Sequence, residues 1–146
     1  DLTRPVSESL HGLPAKLVAI GHMLGTADLL SQMSGRYYLE NCRDALYAEL
    51  VTTTDQRKVS AQPVTPALYD SPQDLLRKTP VFYENVVKKR LDRDYEQVYL
   101  HLPKHFGGDD PYMRGLQRNL AYLERLIERN DFSGLRRKPP LMPGCR

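Results

Sequence analysis

The stretch Gly21–Glu40, GHMLGTADLLSQMSGRYYLE, reads as an apolar helix with one carboxylate, Asp28, set in its middle. Burying a large apolar side chain stabilises a helix by roughly 1.5–3 kcal/mol, whereas an unpaired carboxylate taken out of water costs several. On a helix turning about 100° per residue, Leu17, Gly21, Leu24, Gln32 and Gly35 lie within roughly 40° of Asp28. Glycine in mid-helix costs about 1 kcal/mol unless a close approach offsets it, and Gly21, Gly25 and Ala27 would permit one. Asp28 is therefore expected to point toward a packed surface rather than water. There it would serve either as a structural residue bonded to a donor on another helix or as a metal ligand.

The surrounding sequence predicts an all-α fold, a single helical domain of about five helices over residues 1–130. Leucine dominates the apolar residues and tryptophan is absent, a balance that favours helix because unbranched side chains lose little rotamer freedom there. A first helix is expected over residues 13–33, opened by Gly12-Leu13-Pro14, with Leu17, Ile20, Leu24, Ala27 and Leu30 at helical spacing. After Ser34-Gly35 a second follows over 36–50, with Leu39, Cys42, Leu46 and Leu50 on one side. Ser71-Pro72, Thr79-Pro80 and Asp110-Pro111 each read as an N-cap followed by proline at the first helical position. They predict a short helix over 71–78, a long one over 79–102 and a last one over 110–130. The segment 51–70, rich in Thr, Gln and Pro, reads as a loop, and 131–146 as a frayed, basic, proline-rich tail. Its Arg137, Pro140 and Pro143 match a polyproline ligand only at the level of a short, common pattern.

At 146 residues the chain can bury a core without disulfides, and Cys42 and Cys145 form neither a disulfide framework nor a zinc spacing. The net charge of +3 is mild and mixed in sign, which gives no support to a nucleic-acid or membrane partner. With no signal-peptide or membrane-spanning run, a cytoplasmic setting is expected. The chain opens on Asp1 without a methionine, which fits processing or excision from a longer protein.

Other candidate residues carry weaker signals. His22 lies six positions before Asp28, about 120° away around a helix, and is not expected to share a ligand with it. His101 and His105 have the four-residue spacing of metal-binding helices, but Pro103 between them is expected to break such a helix. A loop-built site with Asp109 and Asp110 is the remaining option, against the simpler reading of Asp110 as a helix cap. Tyr37, Tyr38, Tyr95 and Tyr99 alternate with basic residues and could stack bases, though helix packing explains them more cheaply.

The run Ile20–Leu50, IGHMLGTADLLSQMSGRYYLENCRDALYAEL, resembles the end of the catalytic domain of bacterial HD-domain metal-dependent phosphohydrolases. LLRKTPVFYENVVKKRL and DDPYMRGLQRNLAYLERLI look like the helices that follow it. In that family a histidine, a His-Asp pair and a distant Asp hold a divalent metal that activates water for attack on phosphorus. The resemblance implies that Asp28 is the last of these ligands and that Gln32, one turn on, supports it. No His-Asp dipeptide occurs in the chain. The resemblance therefore implies the C-terminal half of an HD-type protein, inactive alone, whose parent hydrolyses a phosphate ester or nucleotide with manganese, iron or magnesium. No metal is expected in this chain by itself, and the expected partner is the missing N-terminal half or a second copy. The competing reading is a non-catalytic helical interaction or regulatory module.

Overall fold

The computed structural model describes residues 12–52 and 69–138. All regular structure among them is helical, in five rods, with no strand. Helix α1 is Ala15–Ser34. Helix α2 starts as Tyr38–Asn41, widens into a π-helical turn over Cys42–Leu46 and continues to residue 52. Helix α3 starts as Pro72–Phe82 and passes through π-helical turns at Tyr83–Val87 and Arg90–Asp94. Helix α4 joins a 3-10 turn, Val98–His101, to a short α-helical turn, Leu102–His105. Helix α5 is Pro111–Glu128. None of the described helices is long and apolar enough to cross a membrane.

The count of about five helices holds, but two boundaries fall elsewhere than the sequence predicts. The predicted stop between a short and a long helix at Thr79-Pro80 does not exist, because Pro80 lies inside α3. Thr79 is buried, and its hydroxyl donates back to the Leu75 carbonyl at 2.9 Å instead of capping a new helix. The predicted run to residue 102 instead ends at residues 95–97, where Glu96 and Gln97 take left-handed backbone conformations, φ 51° and 58°. The Tyr95 and Gln97 N–H groups reach back to the Arg90 and Leu91 carbonyls, closing the helix end without glycine. The other two caps form as read. Ser71 Oγ accepts from the Asp74 N–H at 3.0 Å, and Asp110 Oδ1 accepts from the Tyr112 and Met113 N–H groups, both at 3.0 Å. The predicted 51–70 loop starts later, since 51 and 52 are helical; residues 53–68 lie outside the described residues.

The chain divides into two compact units. Among the described residues the first comprises 12–35 and 81–118, the second 36–52, 69–80 and 119–138. In the second, Leu39, Cys42, Leu75, Leu76, Leu123, Leu126 and Leu135 form one buried cluster, with Tyr38, Tyr47, Leu50 and Ile127 packed around it. Residues 131–138 are not a frayed tail: Leu135 is buried and its carbonyl accepts from Arg43 Nη1 at 2.7 Å. The buried Glu40 accepts from the Arg137 N–H at 3.2 Å, and Arg137 Nη1 donates to the Arg36 carbonyl. Pro140, Pro143 and Cys145, the rest of the predicted tail features, lie outside the described residues.

The first unit buries Leu30 and Met33 of α1, Val87, Leu91 and Tyr95 from residues 81–95, and Leu116 of α5. Two glycines permit close approaches there. A Cβ on Gly25 would collide with the Tyr95 ring, and one on Gly115 would lie 2.8 Å from the Ser34 carbonyl oxygen. The small residue at 25 thus admits an aromatic ring, not a second backbone.

Candidate functional site

Helix α1 turns a different face inward from the one its leucines suggest. Its buried residues are His22, Thr26, Leu30 and Met33, whereas Leu17, Ile20 and Leu24 of the predicted core stripe are exposed. Asp28 is exposed with them, which corrects the expectation that it faces a packed surface. The physical reason is rotational: Asp28 lies about 160° around the helix from the centre of the buried stripe. Its carboxylate is held by the neighbour one turn on, with Gln32 Nε2 donating to Asp28 Oδ1 at 2.8 Å.

Asp28 nevertheless borders a built feature. It lines an open cavity of about 640 Å³ in the first unit, walled by Leu24, Ala27 and Ser31 of α1 and by residues of α4, with Tyr112 of α5. His101 and His105 both line this cavity. Pro103 does not separate them, because it sits in the first turn of Leu102–His105, where a missing N–H is tolerated. Phe106 packs edge-on against His105, with ring centroids 4.8 Å apart, and lies 6.0 Å from Tyr112. The wall is chiefly apolar, with Asp28, Ser31 and the two histidines as its polar points. Thr26 also lines it; this residue is 3% exposed and its hydroxyl has no hydrogen-bond partner among the described residues.

The remaining candidates are engaged elsewhere. His22 is buried on the opposite side of α1, its ring centroid 6.1 Å from Tyr95 and its Nδ1 4.0 Å from Glu96 Oε2. Asp109 pairs with Arg114 and Asp110 caps α5. The tyrosines are used within the fold: Tyr95 is buried, Tyr38 packs on the second unit's core, the Arg36 guanidinium sits 6.0 Å over the Tyr37 ring, and Tyr99 donates to Asp92 Oδ1 at 2.8 Å. That last bond to a carboxylate pushes the Tyr99 phenol up to about 12.

Among the described residues no three His, Cys, Asp or Glu side chains come together in a way that could hold a metal ion. Asp28 with His101 and His105 around one cavity is thus an arrangement of polar groups on an apolar wall. These residues do not by themselves fit a divalent ion. Sequence reading found Asp28, Gln32 and the histidines but missed Thr26, Phe106 and Tyr112, which carry no motif and join the site only through the packing of α4 and α5. Comparison of the chain with family models, with characterised proteins and with solved structures found no match.

Proposed function

We propose that this chain is the C-terminal portion of an HD-type metal-dependent phosphohydrolase whose parent hydrolyses a phosphate ester or nucleotide in the cytoplasm. The observation that carries this reading is the placement of Asp28. A carboxylate that the family-like run singles out stands exposed at a cavity, tied among the described residues to Gln32, where it could be joined by ligands from another part of the parent. An exposed carboxylate bonded to one side chain a turn away keeps lone pairs open to further partners. Asp28 supplies one oxygen donor, Gln32 orients it, and the histidine and His-Asp pair come from a part of the parent outside this sequence.

The longest product of the gene tests the reading. Its hydrolysis of p-nitrophenyl phosphate and of nucleotides, with and without manganese, iron or magnesium, is expected to need the metal and to vanish in Asp28→Ala. A longest product without a His-Asp pair, or metal-dependent turnover untouched by Asp28→Ala, overturns it. One observation favours the second reading, a non-catalytic interaction module: α1 presents a long apolar face that nothing among the described residues covers.

A further inference from the structure

The cavity beside α1 combines a shape and a charge that together select a ligand. Its volume of about 640 Å³ falls in the range of roughly 300–1,000 Å³ that small-molecule sites occupy. On a helix turning about 100° per residue, the α1 residues that line it span an arc centred on Ala27, with Thr26 and Asp28 at its two edges, about 100° to either side. The alanine side chain ends at Cβ and leaves the centre of the arc open. Leu102 and Phe106 of α4 and Tyr112 of α5 supply further wall.

The two edges differ in chemistry. Thr26, at the packed edge, is 3% exposed, and its hydroxyl has no hydrogen-bond partner among the described residues. A buried hydroxyl left unbonded costs free energy that a ligand atom at the wall can offset. Asp28, at the open edge, is exposed, and Gln32 Nε2 donates to its Oδ1 at 2.8 Å, which orients the carboxylate without neutralising it. Among the described residues that line the cavity there is no Lys, no Arg and no second Asp or Glu. A chiefly apolar wall thus carries one carboxylate at its rim.

We propose that this cavity binds a small organic amine, its apolar body lying over Ala27 and its ammonium group meeting the Asp28 carboxylate. The body gains by leaving water for Leu24, Leu102 and Phe106. The ring faces of Phe106 and Tyr112, with centroids 6.0 Å apart, add attraction for a cation. An anionic ligand of the same shape is set against Asp28 with no Lys or Arg in the wall to receive it, so the site discriminates by repulsion as well as by attraction. This inference does not rest on the phosphohydrolase reading: it concerns a ligand held by this chain alone, and turnover by the longest product is a separate measurement.

Titration calorimetry of the chain with octylamine, octanol and octanoate at about pH 8, where histidine is ordinarily neutral, tests it. The three probes share one apolar chain and differ in the charge of the head group. Octylamine is expected to bind with a dissociation constant on the order of 100 μM, about tenfold tighter than octanoate, with octanol between them. Asp28→Asn removes the charge and keeps the shape; it is expected to bring octylamine and octanoate within about twofold of octanol and to leave octanol unchanged. Ala27→Trp fills the cavity from an exposed position and is expected to abolish binding of all three, with the helical spectrum unchanged. Octylamine that fails to bind at about 5 mM, octanoate that binds as tightly, a head-group preference that survives Asp28→Asn, or binding that survives Ala27→Trp overturns the proposal.

Discussion

The second unit closes most of its apolar surface with its own chain, leaving Leu46 and Val51 exposed, while the first unit leaves a larger part open. In the second, residues 135–137 return to α2, bury Leu135, and are fixed by Arg43, Glu40 and the Arg36 carbonyl. In the first, α1 holds four buried residues, two of them His22 and Thr26, and carries more large apolar side chains outside than in. The polar groups follow the same division. Glu40 is buried and bonded, whereas Thr26 is buried and unbonded beside an open cavity. A region that satisfies its groups internally draws its stability from its own chain; one that leaves apolar area exposed and a buried hydroxyl unbonded among the described residues keeps room for further contacts.

The largest expected effect tests the division directly. Leu123 is fully buried in the second unit's cluster, so Leu123→Ala should cost about 2–5 kcal/mol in a denaturant melt followed by far-ultraviolet circular dichroism. Leu24, 70% exposed, should cost less than about 0.5 kcal/mol on replacement by Ala. Equal losses would break the contrast between a closed and an open apolar surface.

A smaller loss is expected within the first unit, on the packed side of α1. Gly25→Ala would set a methyl group into the Tyr95 ring, and overpacking of this kind costs about 1–3 kcal/mol even though alanine is the better helix former. Tyr95→Leu in the Gly25→Ala background should recover part of that loss. A stabilised Gly25→Ala chain would mean that the ring is free to move away and that this side of α1 is as loosely packed as the other.

The second unit also predicts its own pH limit. Burial pushes the Cys42 thiol up to about 11 and raises the Tyr38 phenol in the same direction. The folded state keeps both neutral where the unfolded chain ionises, so the unfolded chain holds fewer protons at high pH and stability falls as pH rises. The stabilisation from Cys42 is therefore complete below about pH 8.5 and is lost progressively toward about pH 11. Melts from pH 7 to 11 should show this decline, with a shallower slope for Cys42→Ala. An unchanged slope would place the titration in another group.

The helical class was legible because it rests on local chemistry. Ser71 and Asp110 cap as their side chains dictate, and the leucines of α5 keep one face. Thr79-Pro80 carries the same local signal and misleads, because Thr79 finds a closer acceptor in its own helix, the Leu75 carbonyl. The break at 95–97 was illegible for the opposite reason: Glu96 and Gln97 adopt left-handed conformations that sequence patterns reserve for glycine or asparagine. Helix α1 shows the limit most clearly. Its leucine periodicity is real, but periodicity identifies an apolar face without saying what lies against it. The face that the first unit buries is the one bearing His22 and Thr26, and the regular seam is left outside. Asp28 stands out by its type, but its direction depends on which of the two faces packs.

The smallest expected effect belongs to Asp28. Among the described residues its carboxylate accepts one hydrogen bond, from Gln32 one turn away, and both residues are exposed. Such surface pairs contribute a few tenths of a kcal/mol, and alanine returns a similar amount through its higher helix propensity. Asp28→Ala should therefore leave the stability of the chain within about 0.5 kcal/mol of wild type, or raise it slightly. A loss above about 1 kcal/mol would require a donor beyond Gln32 that depends on the carboxylate, making Asp28 a structural residue. A neutral result together with loss of metal-dependent turnover in the longest product would separate the two roles, since only a functional group can be removed at no cost to the fold and full cost to the activity.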